Sequence, residues 1–176
     1  MSREVTREMT IRLLEPRDIE LLAPLFANIG WNRRVSLFKR YLKEQDRGER
    51  VVLVAYIGED FAAYVTVKWK SDYPPFVEKG IPEIMDLNVV PTRRRRGIAS
   101  ALMDEAERQA FEQSRTIGIG VGMYPYYGAA QRMYILRGYV PDARGLFYKG
   151  QHVNPGQEVC VDDGLELMLT KEREQI

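Results

Sequence analysis

Hydrophobic and polar residues alternate with distinct periods along the chain, and changes of period mark successive strands and helices. Residues 9–15, MTIRLLE, alternate apolar and polar side chains, which predicts a half-buried strand. Residues 16–30 have hydrophobic positions at helical spacing and end in a glycine, which predicts a helix. Residues 31–50 predict a second, amphipathic helix with Gly48 near its end.

The middle of the chain contains strand signals on either side of a proline-rich segment. Residues 51–69 divide at Gly58-Glu59-Asp60 into two β-rich runs, which predicts a hairpin. Residues 71–82, SDYPPFVEKGIP, are interpreted as a loop between two strands, and EIMDLNVV at 83–90 as the next strand. Residues 97–111 repeat hydrophobic residues every four positions, which predicts a helix.

The last third of the chain opens with glycines inside a strand pattern. Residues 116–123, TIGIGVGM, alternate large apolar residues with glycine, which predicts close approach by either a packed helix or a ligand. Residues 128–138 predict a short helix, and residues 164–171 predict a final strand. This order predicts one domain over residues 1–176, of the α/β or α+β class, built around one mixed sheet.

The composition argues against several kinds of binding partner and functional site. The 26 Lys and Arg residues nearly balance the 25 Asp and Glu residues, so the chain lacks the basic excess of a general nucleic-acid binder. One cysteine and one histidine do not favour a disulfide, a Ser-His-Asp triad or a metal centre, and we expect no metal. The sequence has neither an apolar stretch of membrane-spanning length nor a secretory signal pattern, so we expect a cytoplasmic protein without membrane attachment.

Four consecutive arginines precede the helix predicted at 97–111. Because the first turn of a helix carries a partial positive charge, basic residues are disfavoured there. The run Arg93–Arg96 is therefore either solvated at a cost or matched by a negatively charged ligand. A strand that leads through a glycine-containing turn into a helix is suited to bind an anion, and Gly97 would let the backbone approach a phosphate.

This segment resembles the acyl-CoA loop of the GCN5-related N-acetyltransferase (GNAT) superfamily, Gln/Arg-x-x-Gly-x-Gly/Ala. The matching residues run from Arg94 to Ala99, and DLNVVP at 86–91 lies where the superfamily has its central strand. Residues 129–139, AAQRMYILRGY, resemble a later motif of the same superfamily. The resemblance implies a central mixed, mostly antiparallel sheet flanked by helices.

The resemblance also implies acetyl-CoA as co-substrate and assigns residues to it. The backbone of Leu87, Asn88 and Val89 would line the pantetheine arm and hold the thioester carbonyl. The pyrophosphate would lie on amides of the loop and the first helical turn, and at least one arginine of the run would serve the 3′-phosphate. The implied cofactor-binding residues after the strand are Arg94, Arg95, Arg96, Gly97, Ile98, Ala99 and Ser100.

The resemblance places Tyr134 where the superfamily often has a tyrosine beside the cofactor sulfur. Its hydroxyl would donate a proton to the departing thiolate, although the apolar neighbours of Tyr134 also suit a core residue. One departure is Tyr127, because the superfamily commonly has an asparagine there that touches the cofactor.

Deprotonation of the amine requires a base, and the predicted central strand contains two candidates. An ungapped match to the histone-acetylating branch puts Glu83 at the base position, whereas many small-molecule members have an acid nearer Asp86. Strand alternation would place the two carboxylates on opposite faces unless a bulge intervenes. Either one would otherwise be an ordinary surface carboxylate, and a water molecule is the third possibility.

The function we expect is acetyl-CoA-dependent transfer to a primary amine, by direct attack in a ternary complex. The acceptor is a small molecule or a peptide, and the oligomeric state, including a homodimer, stays open. Two alternatives are a non-catalytic acyl-CoA sensor and a nucleic-acid-binding protein that uses Arg93–Arg96. His152 is interpreted as a loop residue, and Asp162 and Asp163 as an acidic turn that would also attract a cationic substrate. Five aromatic residues could line an acceptor pocket or belong to the core: Trp31, Tyr73, Phe76, Tyr124 and Tyr126.

Overall fold

A computed structural model describes residues 9–31 and 34–174 of the chain. Within these residues it contains eight strands and five α-helices. The strands are β1 (Met9–Leu13), β2 (Arg50–Ile57), β3 (Asp60–Lys68), β4 (Glu83–Val89), β5 (Thr116–Gly122), β6 (Val140–Tyr148), β7 (Gln151–His152) and β8 (Leu165–Glu172). The helices are α1 (Pro16–Asn28), α2 (Arg34–Asp46), α3 (Pro74–Lys79), α4 (Ile98–Gln113) and α5 (Gly128–Leu136). No helix of these residues is long and apolar enough to cross a membrane.

The strands form an eight-stranded sheet in the order β1-β2-β3-β4-β5-β8-β6-β7, flanked by helices. Five of the strand pairings are antiparallel and β4 pairs with β5 in parallel. The predicted fold class, a mixed and mostly antiparallel sheet with helices around it, is confirmed. The chain divides into two compact units, the first up to Trp69 plus Met85–Gln109, the second Lys70–Ile84 plus the residues from Ala110 on.

The core of the first unit is aromatic. Strands β2 and β3 form the predicted hairpin, and α1 and α2 pack with it around Phe26, Phe38 and Tyr64, which are all buried. The ring of Phe38 lies edge-on to that of Tyr64, with centroids 4.7 Å apart. This contact holds α2 against β3, and both elements carry residues of the site described below.

In the second unit, the prediction for residues 71–82 is wrong and strand β6 was not predicted. The segment 71–82 is not simply a loop, because Pro74–Lys79 forms helix α3. Pro74 and Pro75 occupy first-turn positions, where proline costs no hydrogen bond, and Gly80 ends the helix in the left-handed region. Strand β6 has no visible sequence pattern, because its register shifts between Pro141 and Leu146 and the shift interrupts the alternation of apolar and polar residues.

The glycines of β5 make room for packed side chains. A Cβ built on Gly118 would lie 2.1 Å from the ring of Phe76, which is buried on α3. A Cβ on Gly122 would lie 2.3 Å from the ring of Tyr127. Of the two explanations predicted for these glycines, packing of a helix on the sheet therefore applies at Gly118.

We expect Gly118→Ala to destabilise the protein by about 1–3 kcal/mol, because the new methyl group would overlap the buried ring of Phe76. Gly128→Ala is the matched control, since Gly128 has helical angles and open space around its Cβ position. The control should raise the free energy of unfolding by about 0.4–1 kcal/mol. Urea denaturation measures both, and an unchanged midpoint for Gly118→Ala would contradict the packing described.

Candidate functional site

The arginine run lies on an exposed turn between β4 and α4, in the first unit. A short 3₁₀ turn covers Pro91–Arg93, and Arg94, Arg95, Arg96 and Gly97 follow it with exposed side chains and backbone. Arg93 pairs with Asp60 at 2.7 Å, and Nε of Arg94 donates a hydrogen bond to the carbonyl of Val89 at 3.3 Å. The side chains of Arg95 and Arg96 have no hydrogen bond or ion pair within the described part of the chain.

The backbone of this turn bends into conformations that favour glycine. Arg95 has φ +63° and Gly97 has φ +78°, and no atom lies within 4 Å of the Cβ position of Gly97. Helix α4 then begins with no acidic residue in its first turn. The amide groups at this helix start lack intrahelical acceptors, so an anion would be stabilised by the amides and by the two unpaired arginines. These residues therefore fit a phosphate-bearing group such as the predicted co-substrate.

The strand that leads into the turn carries the other predicted cofactor residues. Leu87, Asn88 and Val89 are partly buried members of β4. The side chain of Asn88 is occupied, because its Nδ2 donates to Oδ1 of Asp86 at 2.7 Å and to the hydroxyl of Tyr64 at 3.3 Å. The role predicted for these three residues uses their backbone groups.

Asp86 lies at the centre of a hydrogen-bond network in the first unit. Its φ of +56° is uncommon for a residue other than glycine. Its carboxylate accepts hydrogen bonds from the hydroxyls of Tyr41 at 3.0 Å and Tyr64 at 2.8 Å, and pairs with Arg34 at 3.3 Å. The guanidinium of Arg34 in turn lies over the ring of Trp31, 4.5 Å from its centroid.

This network changes the acidity of its tyrosines. Burial, the dominant cause, and the charge of Asp86 raise the pKa of Tyr64 far above its ordinary value. The same two causes raise the pKa of Tyr41. Both hydroxyls therefore remain hydrogen-bond donors to Asp86 throughout the physiological pH range.

Glu83, the other candidate base, is buried at the start of β4 and accepts a hydrogen bond from the hydroxyl of Ser71. The prediction that Glu83 and Asp86 point to opposite faces assumed a regular strand. Asp86 has a left-handed backbone, but β4 runs without a break from Glu83 to Val89, so the relative direction of the two carboxylates stays a prediction.

Tyr134 is a buried residue of α5 in the second unit. Burial raises its pKa to about 12, so the hydroxyl carries its proton at neutral pH. Helix α5 is joined to the end of β5 by Gln131, whose Nε2 donates to the carbonyl of Gly122 at 2.8 Å. The ring of Tyr134 lies 5.9 Å from that of Tyr139.

The aromatic residues predicted to line a pocket or the core fall into three groups. Tyr73 and Phe76 belong to the buried core of the second unit. Tyr124 and Tyr127 donate hydrogen bonds to Asp163, at 2.5 Å and 2.8 Å, and Tyr126 stacks on Tyr124. Trp31 belongs to the network of the first unit, where it lies against Arg34.

His152 was predicted as a loop residue, but it is an exposed residue of the short strand β7. Its ring lies edge-on to that of Phe147, with centroids 5.1 Å apart. The two-residue strand is too short for its period to be visible in the sequence.

Sequence reasoning did not find Arg34, Tyr41 or Tyr64 as site residues. They lie on α2 and β3, far along the chain from Asp86, and only the folded sheet brings them together. The one available signal is polarity, because Arg34 and Tyr41 lie on the face of α2 that otherwise buries Phe38.

Comparison with known proteins identifies the family. The model of the acetyltransferase (GNAT) family matches residues 19–139. No curated protein sequence matches the chain significantly.

Solved structures share the fold at low sequence identity. A ribosomal-protein-alanine N-acetyltransferase from Brucella melitensis is 18% identical with a TM-score of 0.66, covering 93% of this chain and 99% of that one. NAA60 of Arabidopsis thaliana, in complex with a bisubstrate analogue, is 19% identical with a TM-score of 0.65, covering 93% and 97%. The protein yncA of Salmonella typhimurium, with its cofactor acetyl-CoA, is 16% identical with a TM-score of 0.66, covering 97% and 96%. These similarities show a common fold.

The raised pKa of Tyr64 predicts how stability depends on alkaline pH. A group whose pKa is raised by folding stabilises the protein below its ordinary pKa, about 10 for tyrosine, and this contribution is lost as pH rises toward the folded value. The free energy of unfolding should therefore fall above pH 10. Tyr64→Phe should make that fall shallower by about 1.4 kcal/mol per pH unit.

At pH 8, Tyr64→Phe should lower the free energy of unfolding by about 1.5–3 kcal/mol, because a hydrogen bond to a charged group is lost. The exposed Tyr126→Phe serves as the control at this pH and should have little effect. Denaturant unfolding followed across the pH series gives both quantities, and equal stability of Tyr64→Phe and wild type at pH 8 would contradict the network.

Proposed function

We propose that this chain, which belongs to the acetyltransferase (GNAT) family, transfers an acetyl group from acetyl-CoA to a primary amine by direct attack within a ternary complex. Membership of the family makes the chain an acyltransferase. The acetyl donor, the amine acceptor and the single-displacement route are the parts that we propose.

The observation that carries the proposal is the turn between β4 and α4. The unpaired side chains of Arg95 and Arg96 and the open left-handed backbone of Gly97 support binding of a pyrophosphate and a 3′-phosphate. We assign the phosphates to residues 94–100 and the pantetheine arm to the backbone of residues 87–89. Arg93 is the arginine of the run that we do not assign to a phosphate, because Asp60 already neutralises it.

Acetyl-CoA, when bound, supplies the acetyl group as a thioester. The nitrogen of the acceptor forms the new bond to the carbonyl carbon, the carbon–sulfur bond breaks, and the electron pair of that bond goes to sulfur. We propose that the hydroxyl of Tyr134 donates its proton to this sulfur. Its pKa of about 12 ensures that the proton is present before the reaction begins.

The amine must lose a proton before it attacks, and Glu83 and Asp86 remain the candidate bases. Each already accepts hydrogen bonds from the chain, Glu83 from Ser71 and Asp86 from Tyr41 and Tyr64. Such fixed carboxylates support proton transfer through an intervening water as well as direct transfer. The acceptor is a small molecule or a peptide, and a homodimer and a cytoplasmic location remain part of the proposal.

Acetyl-CoA should stabilise the fold, because a ligand that binds only the native state raises its free energy of unfolding. At a hundredfold excess over Kd the gain is about 2.7 kcal/mol, which corresponds to a melting shift of roughly 5–10 °C for a chain of this size. Gly97→Asn should abolish most of the shift, because asparagine tolerates the left-handed backbone but places a side chain where the phosphate binds. Differential scanning fluorimetry measures the shift.

Two matched controls separate this effect from general damage. Gly48→Asn changes another glycine with φ +72° and open space around it, and should keep the full shift. Arg96→Ala should weaken binding in a salt-dependent way, whereas Arg93→Ala, which removes a paired arginine, should weaken it less. A melting point that does not change with acetyl-CoA but rises with short duplex DNA would favour nucleic-acid binding. Binding of acetyl-CoA with no release of CoA in the presence of any tested amine would favour a non-catalytic sensor.

Tyr134→Phe should lower kcat by about 10²–10⁴-fold and leave the affinity for acetyl-CoA unchanged, because only a proton donated during the reaction is lost. Tyr139→Phe is the control, since it removes a hydroxyl from the neighbouring buried ring. Steady-state release of CoA with an amine panel measures kcat. Wild-type turnover in Tyr134→Phe would exclude the acid role.

A further inference from the structure

Glu166 is an acidic residue of β8 in the second unit to which the proposed function gives no role. It is largely but not completely buried. Within residues 9–31 and 34–174 its side chain has neither a hydrogen bond nor an ion pair. Burial alone raises the pKa of its carboxyl group.

The side chain of Glu166 lies on the glycine face of β5. Glu166 pairs in register with Gly122, and a Cβ built on Gly120 would lie 3.0 Å from its carboxylate oxygen Oε1. Glycine at position 120 therefore provides the space that this carboxylate occupies. The carboxylate of Glu166 lies against Gly120, and neither Gly120 nor Gly122 offers it a side-chain partner.

The walls around Glu166 are apolar and aromatic. Met168 lies two residues along the same strand face, Phe147 is the register partner of Glu166 on β6, and the ring of Tyr127 covers Gly122. Met168 and Phe147 belong to the buried core cluster of this unit. A partly exposed carboxylate surrounded by apolar side chains is suited to bind an organic cation that has apolar groups next to its charge.

The titratable groups packed around this part of the sheet already have partners of their own. The hydroxyl of Tyr127 donates to Asp163 at 2.8 Å, and the hydroxyl of Tyr73 donates to Asp142 at 2.6 Å. A third titratable group, His152, is exposed on β7 and has its ring against Phe147. None of these groups is hydrogen-bonded or ion-paired to Glu166.

A partly buried carboxylate without a donor is unfavourable when ionised, so the fold gains nothing from it at neutral pH. A cationic ligand would remove this penalty. We propose that Glu166 binds the ammonium group of the acceptor, and that the natural acceptor is therefore a positively charged primary alkylamine. This inference rests on the proposed function for the identity of the ligand as an acceptor.

The chemical class follows from the walls as well as from the charge. Primary alkylamines are protonated at neutral pH, since their pKa lies near that of lysine, about 10.4. The thioether of Met168 and the rings of Phe147 and Tyr127 would contact the methylene groups next to the ammonium. Glu166 thereby selects alkylammonium acceptors against neutral and anionic ones.

The first experiment measures binding of n-butylammonium chloride by thermal shift, against equal concentrations of sodium chloride and n-butanol. Wild type should be stabilised by n-butylammonium and not by the two reference compounds. Glu166→Gln, which keeps the shape and removes the charge, should weaken n-butylammonium binding at least about tenfold. Glu158→Gln removes an exposed carboxylate of the same unit and should bind like wild type.

The second measurement is the pH dependence of stability, which requires no ligand. Because folding raises the pKa of Glu166, its contribution is present below the ordinary glutamate pKa and is lost as pH rises through the folded value. Wild type should therefore lose stability relative to Glu166→Gln as pH rises above the ordinary glutamate pKa of about 4.3. Glu158→Gln should follow wild type throughout.

Equal n-butylammonium affinity in wild type and Glu166→Gln would overturn the proposal, as would a wild type that does not respond to n-butylammonium. Parallel pH profiles of the two proteins would overturn it too, because they would mean that Glu166 carries no burial penalty. Acetyl-CoA is tested on the same variants. If one of these contrary results is found while the melting shift with acetyl-CoA is preserved, the inference fails and the proposed function stands. Loss of the acetyl-CoA shift in wild type shows instead that the proposed function has failed.

Discussion

The left-handed backbone at Asp86 is the constraint on which the first unit depends. A non-glycine residue with φ +56° costs roughly 1–2 kcal/mol, so the surrounding structure must offset it. Here α2 contributes Arg34 and Tyr41, and β3 contributes Tyr64, all of which bind one carboxylate. These bonds hold α2 against the sheet at the position on β4 that immediately precedes the residues assigned to the co-substrate.

Three acidic residues, Asp86, Glu83 and Glu166, differ in whether their carboxylates accept hydrogen bonds from the chain. Asp86 and Glu83 receive hydrogen bonds from the chain, so their orientation is set before any ligand arrives. Glu166 receives none from residues 9–31 and 34–174, and its carboxylate lies over Gly120 beside apolar side chains. In proteins, polar groups that are fixed by hydrogen bonds can orient reactants, whereas a partly buried charge without a partner is unfavourable and is stabilised by a bound counter-ion. The roles proposed here follow this difference.

Much of the fold and of the phosphate-binding turn was predictable from local pattern. The hairpin at Gly58, helices α1, α2, α4 and α5, and strands β4, β5 and β8 all follow from periodicity and glycine position. Helix α3 was missed because two prolines in succession resemble a loop, although proline is compatible with a first turn. Strand β6 was missed because its bulge breaks the alternation that identifies a strand.

By itself the sequence determined the family, the order of most elements and the turn at Gly97, because each depends on residues that are close together in the chain. Only the tertiary structure decided which arginine is neutralised, since Asp60 lies on β3, far along the chain from Arg93 in the 3₁₀ turn. It also decided that Asp86 is held by four groups from three elements, and that Glu166 has no hydrogen-bond or ion-pair partner in the part of the chain that the structure describes. Burial and hydrogen bonding depend on contacts between distant segments, and no local pattern of residues encodes them.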